Sequence, residues 1–329
     1  MLAAHTPFYG SPDVIELRDI PTPELGADQL RIEMAASMVS AGDRRLRSAD
    51  FPGISAVPGR LMMGMTGPRN AVQGTTFAGR VVEVGADVTR FAAGDEVFGI
   101  AEHGAYAEQL VVTEASPVVR RPEGLSAIDA VTLPYGAGTA WSFLTDVLAL
   151  RVGERLLVLG ASGGVGRFAV QLGKHLGAHV TAVCSASQAA TVQELGADRV
   201  IDYGRTDPLA GDARYDAILD IADATTFARA RRVLTPEGRY ATLFLSVGAL
   251  AYAAWTALVG GPRAYVAVAM PSKELVQTLG ELAQQGVVRP RIAAQVPLHE
   301  IARAHHLAET ARGEVVVTMS TPPALRAVG

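Results

Sequence analysis

The chain has 329 residues, 49% of them hydrophobic and 19% charged, with 29 Lys and Arg against 33 Asp and Glu for a formal net charge of −4. That length supports a large core and two domains, the apolar fraction excludes a disordered chain, and the slightly acidic balance argues against a nucleic-acid protein, which needs a basic face. A single cysteine, Cys184, excludes an internal disulfide framework and a four-cysteine zinc site, so a reducing, cytoplasmic compartment is expected.

The opening Met1-Leu2-Ala3-Ala4-His5-Thr6-Pro7 shows neither the basic nor the apolar region of a signal peptide. Residues 1–119 carry short alternating apolar runs cut by Gly and Pro, such as Gln29–Met34, Arg80–Val84 and Glu96–Gly99, which predict an antiparallel, mostly β domain. From 120 to 262 strands alternate with helices, as in a doubly wound parallel sheet. Arg155–Leu159 is a continuous apolar run suited to a buried parallel strand, and Val165, Ala169, Leu172 and Leu176 follow at helical spacing up to Gly177. Further strands are expected at His179–Cys184, Arg199–Tyr203, Tyr215–Asp220 and Arg239–Phe244, with helices at Ala189–Leu195 and Thr226–Leu234. The segment 263–329 adds a strand at Ala264–Ala269, two helices and a last strand at Val315–Val317.

One stretch, Tyr240 to Pro262, runs for 23 residues without Asp, Glu, Lys, Arg or His, long enough to cross a bilayer. It divides more naturally into a buried strand, a break at Ser246-Val247-Gly248 and a helix from Ala249 to Val259. No membrane span is expected. That helix is apolar nearly all round, which points to an interface, with a homodimer contact ahead of attachment to a membrane surface.

The strongest chemical signal is Gly160-Ala161-Ser162-Gly163-Gly164-Val165-Gly166, lying after an apolar strand and opening a helix. Small residues there let backbone approach a pyrophosphate, and the helix N-terminus supplies N–H groups and a positive dipole end. The candidate cofactor residues are therefore Ala161, Ser162, Gly163, Gly164, Val165 and Gly166. An NAD site would place an acid about 20 residues on. Here Cys184 to Gln188 hold no carboxylate, and the Ser185 and Ser187 hydroxyls can donate to a 2′-phosphate, so NADP(H) is preferred over NAD(H). Both serines can also serve as helix N-caps.

These motifs, with Val39-Ser40-Ala41-Gly42-Asp43, Phe77–Gly85, Phe91–Gly99, Gly104–Glu108 and Leu195–Tyr203, resemble the medium-chain dehydrogenase/reductase superfamily, nearest its zinc-independent quinone oxidoreductase-like and NAD(P)-dependent alcohol dehydrogenase branch. The resemblance implies an α/β fold: a GroES-like, mostly β domain and a Rossmann doubly wound parallel sheet, with the C-terminal segment returning to the first domain. Zinc members hold their metal with Cys and a Gly-His-Glu motif. Here Ser40 stands at the cysteine position, Thr75-Thr76 replace His-Glu, and the third ligand falls near Tyr135-Gly136, so no metal is expected. His305 and His306, adjacent in sequence, read as surface residues.

Without metal, hydrogen-bond donors must stabilise the oxyanion that forms as hydride adds. The Tyr donor of zinc-free relatives is replaced by Arg45 and their Asn by Ser40. Ser40 and Tyr135 become the candidate hydroxyl donors and Arg45 the electrostatic stabiliser. Ser40 alternatively serves as a turn residue, Arg44, Arg45 and Arg47 as a solvated helical turn, and Tyr135 as packing. Tyr203 aligns with a 2′-phosphate contact of NADPH-using relatives or covers a sheet edge. Leu61-Met62-Met63-Gly64-Met65 forms an apolar lid or packs in its loop. Three functions stay open: an NADPH-dependent reductase of quinones, enones or related α,β-unsaturated carbonyls; a zinc-free alcohol or aldehyde oxidoreductase; and a non-catalytic NADPH-binding protein.

Overall fold

The computed structural model describes residues 1–51, 54 and 56–319. Two units are distinguished, Met1–Phe51 with Ala56–Tyr135 and the segment from Pro271, and Gly136–Met270. In the first, β1 (Leu2–His5) and β2 (Glu16–Asp19) form a two-stranded antiparallel sheet, with β1 also bridged to Val72 and Ala107. They precede β3 (Gln29–Met38), α1 (Ala41–Ser48), α2 (Ala56–Met63), β4 (Thr76–Val84), β5 (Glu96–Ile100), β6 (Gln109–Thr113), β7 (Val118–Arg120) and α3 (Ala127–Ala130).

The second unit holds α4 (Gly138–Ser142), β8 (Arg155–Leu159), α5 (Gly164–His175), β9 (His179–Cys184), α6 (Ala189–Glu194) and β10 (Arg199–Asp202). It continues with β11 (Tyr215–Asp220), α7 (Phe227–Ala230), β12 (Leu234–Thr242), α8 (Val247–Leu258) and β13 (Arg263–Val266). The chain then returns to the first unit as α9 (Lys273–Gln284), β14 (Ile292–Pro297), α10 (Ile301–Thr310) and β15 (Glu314–Thr318).

The second unit's sheet has the order β10-β9-β8-β11-β12-β13, and every pairing in it is parallel. This is the doubly wound order, which reverses between β8 and β11 and leaves a crevice at the strands' carboxyl ends. Leu156, Leu157 and Val158 of β8 are fully buried, each contributing roughly 2 kcal/mol. In the first unit the order is β14-β15-β3-β4-β5-β7, with β6 also on β3; these pairs are antiparallel except β14 with β15. Its core joins Leu30, Ile32, Phe77 and Val97 to Ile301, Val315 and Val317 from the returning segment.

Several expected limits move. The boundary at 119/120 shifts to Tyr135/Gly136, because α3 packs on β3 and β4. The boundary at 262/263 shifts to Met270/Pro271, because the strand expected in the tail is β13, paired in register with Arg239–Thr242. Of the expected tail, residues 320–329 lie outside the described residues. The helix expected over Thr226–Leu234 is the single turn α7, since Leu234 already pairs with Tyr215 and a register shift absorbs the Pro236-Glu237-Gly238 turn. No helix among the described residues is long and apolar enough to cross a membrane.

Candidate active site

The phosphate-binding turn lies in the second unit. Gly160 follows β8 with φ +87°, a left-handed conformation that a side chain disfavours. Ala161 is fully buried and its N–H donates to Val183 O at 3.0 Å, which locks the turn against β9. Gly163 caps α5 without a side chain, and its N–H donates to Gly160 O at 3.0 Å. A Cβ at Gly163 would meet only Gly160 O, at 3.3 Å, so it would fill the open space before the helix. A Cβ at Gly166 would lie 2.2 Å from Gly160 O, so helix and turn pack too closely for any other residue. Buried Arg167 holds the Ser162 carbonyl at 2.7 Å. Val165 occupies the first turn, whose N–H groups have no acceptor within the helix. Glycine where a phosphate would approach, facing a helix N-terminus, fits a dinucleotide pyrophosphate.

A pocket of about 660 Å³ opens beside this turn, at the crevice, walled by Leu159, Gly160, Val183, Tyr203, Arg205 and Ala222 among others. Tyr203, just past the edge strand β10, is 63% exposed in that wall. Its N–H donates to Cys184 O at 3.3 Å, which sets it beside Ser185. The Ser185 and Ser187 hydroxyls bond each other at 3.1 Å; Ser185 stands at the N-cap of a short 3-10 turn, Ala186–Gln188, without a side-chain cap bond, and Gln188 takes the N-cap of α6. Arg205 was not among the residues singled out by sequence. It sits two residues past Tyr203 with an exposed guanidinium, 3.6 Å from Asp202. Asp220, fully buried at the end of β11, accepts from the N–H groups of Ala222, Ala224 and Thr225 and from Tyr240 Oη, all at 3.1 Å. It thereby shapes the pocket's far wall, and burial holds its carboxyl above the usual range.

The first unit carries a hydroxyl cluster around Asp43. Ser40 is the N-cap of α1. Its Oγ accepts from Asp43 N at 3.0 Å, and Asp43 Oδ2 accepts from Ser40 N at 2.8 Å, a reciprocal capping box. Ser40 Oγ also donates to Asp43 Oδ2 at 2.5 Å, and Thr75 Oγ1 donates to Oδ1 at 3.1 Å. Asp43 is fully buried, and desolvation pushes its carboxyl up against the pull of these donors. Tyr106, also buried, donates to Met38 O at 3.1 Å. Its phenol is pushed well up by burial and by Asp43.

Tyr135 lies in a π-helical turn, Leu133–Ala137, an irregularity frequent at functional sites. A Cβ on Gly42 would lie 3.2 Å from Tyr135 Oη and 3.4 Å from Ser40 Oγ, so both hydroxyls crowd the same side of Gly42. Burial and Asp43 raise the Tyr135 phenol, while Arg45, a hydrogen bond from the Gly42 backbone and Arg44 pull it down. The structure thus brings Ser40, Tyr135 and Arg45 around the first turns of α1.

Two surface readings and one packing reading fail. Arg47 is not solvated: it is 4% exposed and donates to Gly10 O, His305 Nδ1 and Glu309 Oε1. His305 is fully buried against Tyr106, whereas His306 is exposed and bonds Asp13. The Met loop does not pack inward: no residue of α2 is buried, and Met62 and Met65 are 67% and 62% exposed.

A zinc ion does not fit the positions where relatives hold one. Ser40, Thr75 and Asp43 supply two hydroxyls and one carboxylate, all spent on one another. No group of three His, Cys, Asp or Glu able to hold a metal occurs among the described residues.

Comparison with known proteins places residues 26–123 in the alcohol dehydrogenase GroES-like domain family and residues 195–317 in the zinc-binding dehydrogenase family. A chloroplast envelope quinone oxidoreductase homolog of Arabidopsis thaliana is 33% identical, covering 75% of this chain and 79% of its own. A mitochondrial NAD(P)H oxidoreductase of Mus musculus is 35% identical, covering 75% of this chain and 70% of its own. Among solved structures, the quinone oxidoreductase from Coxiella burnetii superposes with a TM-score of 0.85 at 28% identity, over 97% of this chain and 99% of that one.

Proposed function

Because the chain belongs to the medium-chain dehydrogenase/reductase superfamily, in its quinone oxidoreductase-like branch, we propose that it is a zinc-independent, NADPH-dependent reductase of quinones, enones or related α,β-unsaturated carbonyls. The observation that carries this reading is the cluster around Gly42: the Ser40 and Tyr135 hydroxyls lie on one side of that glycine, with a guanidinium acting on one of them, and no group of three metal-binding side chains occurs among the described residues. A nicotinamide cofactor, when bound, supplies the hydride.

The chain's own residues then divide the work. Ala161, Ser162, Gly163, Gly164, Val165 and Gly166 hold the pyrophosphate by backbone N–H groups and the dipole of α5. Ser185, Ser187, Tyr203 and Arg205 receive the 2′-phosphate, with no carboxylate among Cys184–Gln188 to repel it. Tyr135 and Ser40 donate hydrogen bonds to the substrate oxygen as charge develops there, and Arg45 stabilises that charge. The zinc-free alcohol or aldehyde oxidoreductase uses the same donors on a simple carbonyl.

The non-catalytic NADPH-binding reading has one observation in its favour. The Ser40 hydroxyl proton points at Asp43, 2.5 Å away, and not at a substrate. Assay of purified protein with NADPH and with NADH against benzoquinones, enones and simple aldehydes separates the three. Loss of NADPH absorbance with the first two substrate classes is expected. Tight NADPH binding without turnover supports the non-catalytic reading.

A homodimer through α8 belongs to the same reading. Val247, Leu250, Trp255 and Leu258 are exposed, and only Thr256 of that helix is buried. Sedimentation showing a stable monomer contradicts it. A reducing cytosol is the compartment we assign, on the strength of the one free, buried thiol, Cys184.

A further inference from the structure

We infer that Asp43, acting through the Ser40 hydroxyl, is the proton source for the reduction proposed above; the inference rests on that reading. It starts from a carboxyl group with no exposed surface and no routine structural need to be an acid. A capping box needs one carboxylate oxygen, to accept from the N-cap N–H. Here both oxygens are engaged and the group is enclosed.

The groups facing Asp43 are Ser40 on its own helix, Thr75 ahead of β4, Tyr106 ahead of β6 and Tyr135 in the π-helical turn. Arg45 and Arg44 pull on the Tyr135 phenol and Arg47 on that of Tyr106. Burial favours the neutral acid at Asp43, while Ser40, Thr75 and Tyr106 favour the anion.

Valence counting at Ser40 links the two protonation states to donor capacity. A serine hydroxyl has one proton and two lone pairs. With Asp43 ionised, the proton of Ser40 Oγ lies on the 2.5 Å line to Oδ2 and nothing is left to donate. With Oδ2 protonated, that same line carries the carboxyl proton toward Ser40 Oγ. Ser40 then accepts twice, from Asp43 N at 3.0 Å and from Oδ2, and its own proton turns outward. Tyr135 Oη lies on the same side of Gly42, the two hydroxyl oxygens standing 3.4 and 3.2 Å from where a Cβ of that residue would be.

A bound nicotinamide would supply hydride to the β-carbon of an enone, being itself oxidised to NADP+, and the displaced electron pair would reach the carbonyl oxygen. The Ser40 O–H bond breaks as a new O–H bond forms on that oxygen, and the Oδ2 proton passes to Ser40 Oγ. Asp43 is left as a carboxylate bonded by Ser40 N, Ser40 Oγ and Thr75 Oγ1. The enol tautomerises in water, and Asp43 regains its proton from water before the next turnover. A quinone takes the same hydride and proton to give the hydroquinone.

The test is the pH profile of kcat for wild type, D43N, S40A and T75A, with NADPH binding measured by fluorescence for each. For wild type, kcat falls as pH rises through the Asp43 titration, because the acid form is needed. D43N and S40A lose that limb and about tenfold or more in kcat, while NADPH affinity stays within twofold. T75A removes a donor to the anion, so the limb moves to higher pH with kcat retained below it. A protonated-carboxyl C=O infrared band, present in wild type and absent in D43N, is expected independently of turnover. A limb that survives in S40A, or one unmoved in T75A, overturns the relay alone, even where D43N fails to fold. Absence of NADPH turnover in wild type overturns the reductase reading and the relay with it.

Discussion

Arg47 and His305 are 258 residues apart in the chain and 3.2 Å apart in the fold. A guanidinium only donates, so Nδ1 of His305 accepts and its proton resides on Nε2. The same guanidinium holds Gly10 O at 3.2 Å and Glu309 at 3.0 Å. One side chain thus fastens α10, from the returning segment, to α1, the helix that carries Ser40, Asp43 and Arg45.

This contact makes stability depend on acid in a defined window. Burial, then Arg47 and Arg44, pull His305 down to about 3 from an unfolded value of 6.5. The unfolded chain therefore binds a proton that the folded chain refuses between those values, and stability falls as pH drops through the window. At pH 5 the loss is about 2 kcal/mol. Denaturant melts at pH 7 and pH 5 are expected to show that loss in wild type and a smaller one in His305→Gln.

Gly42→Ala is expected to lower kcat by roughly tenfold to a hundredfold while leaving NADPH affinity unchanged. Its methyl group would press on Tyr135 Cε2 at 3.1 Å and displace the phenol from the side of Gly42 it shares with Ser40. Steady-state kinetics beside fluorescence titration of the cofactor distinguish this from a general loss of fold.

Gly166→Ala acts on the other unit. The added Cβ would stand 2.2 Å from Gly160 O and 2.8 Å from the Ala161 backbone, neither of which can yield without opening the turn. The expectation is a loss of about 1–3 kcal/mol in stability and a fall in affinity for NADPH and NADH alike. Calorimetric titration with both cofactors checks it.

Arg205→Glu separates the two cofactors. Replacing a guanidinium near Tyr203 by a carboxylate is expected to weaken NADPH binding by about tenfold or more and to leave NADH binding almost unchanged. Equal losses for both would place Arg205 away from the 2′-phosphate.

What could be read beforehand followed from local chemistry. The β8 strand and its glycine turn were legible because a buried parallel strand is a continuous apolar run and a phosphate turn needs small residues in order. The Ser40–Asp43 capping box was legible in principle too, as a serine with an acid three residues on. That Asp43 is buried was not, because Thr75, Tyr106 and Tyr135 reach it from distant segments. Arg47 and His305 read as solvated for the same reason: each is polar by itself and buried by distant segments, Arg47 beside Gly10, His305 and Glu309, and His305 against Tyr106. Arg205 carries no motif of its own, and its place beside the 2′-phosphate residues follows from the pairing of β10 with β9. The register Asp202↔Cys184 brings the end of β10 beside it.

The central claim is that this protein moves hydride from NADPH to a quinone or enone without zinc. The most direct measurement is the rate of NADPH oxidation by purified, chelator-treated protein whose metal content has been determined, with a benzoquinone or an enone as acceptor. The account predicts turnover that chelation leaves unchanged in metal-free protein and that is slower with NADH. Activity that vanishes on chelation and returns with zinc, or NADPH bound tightly and never consumed, would contradict it.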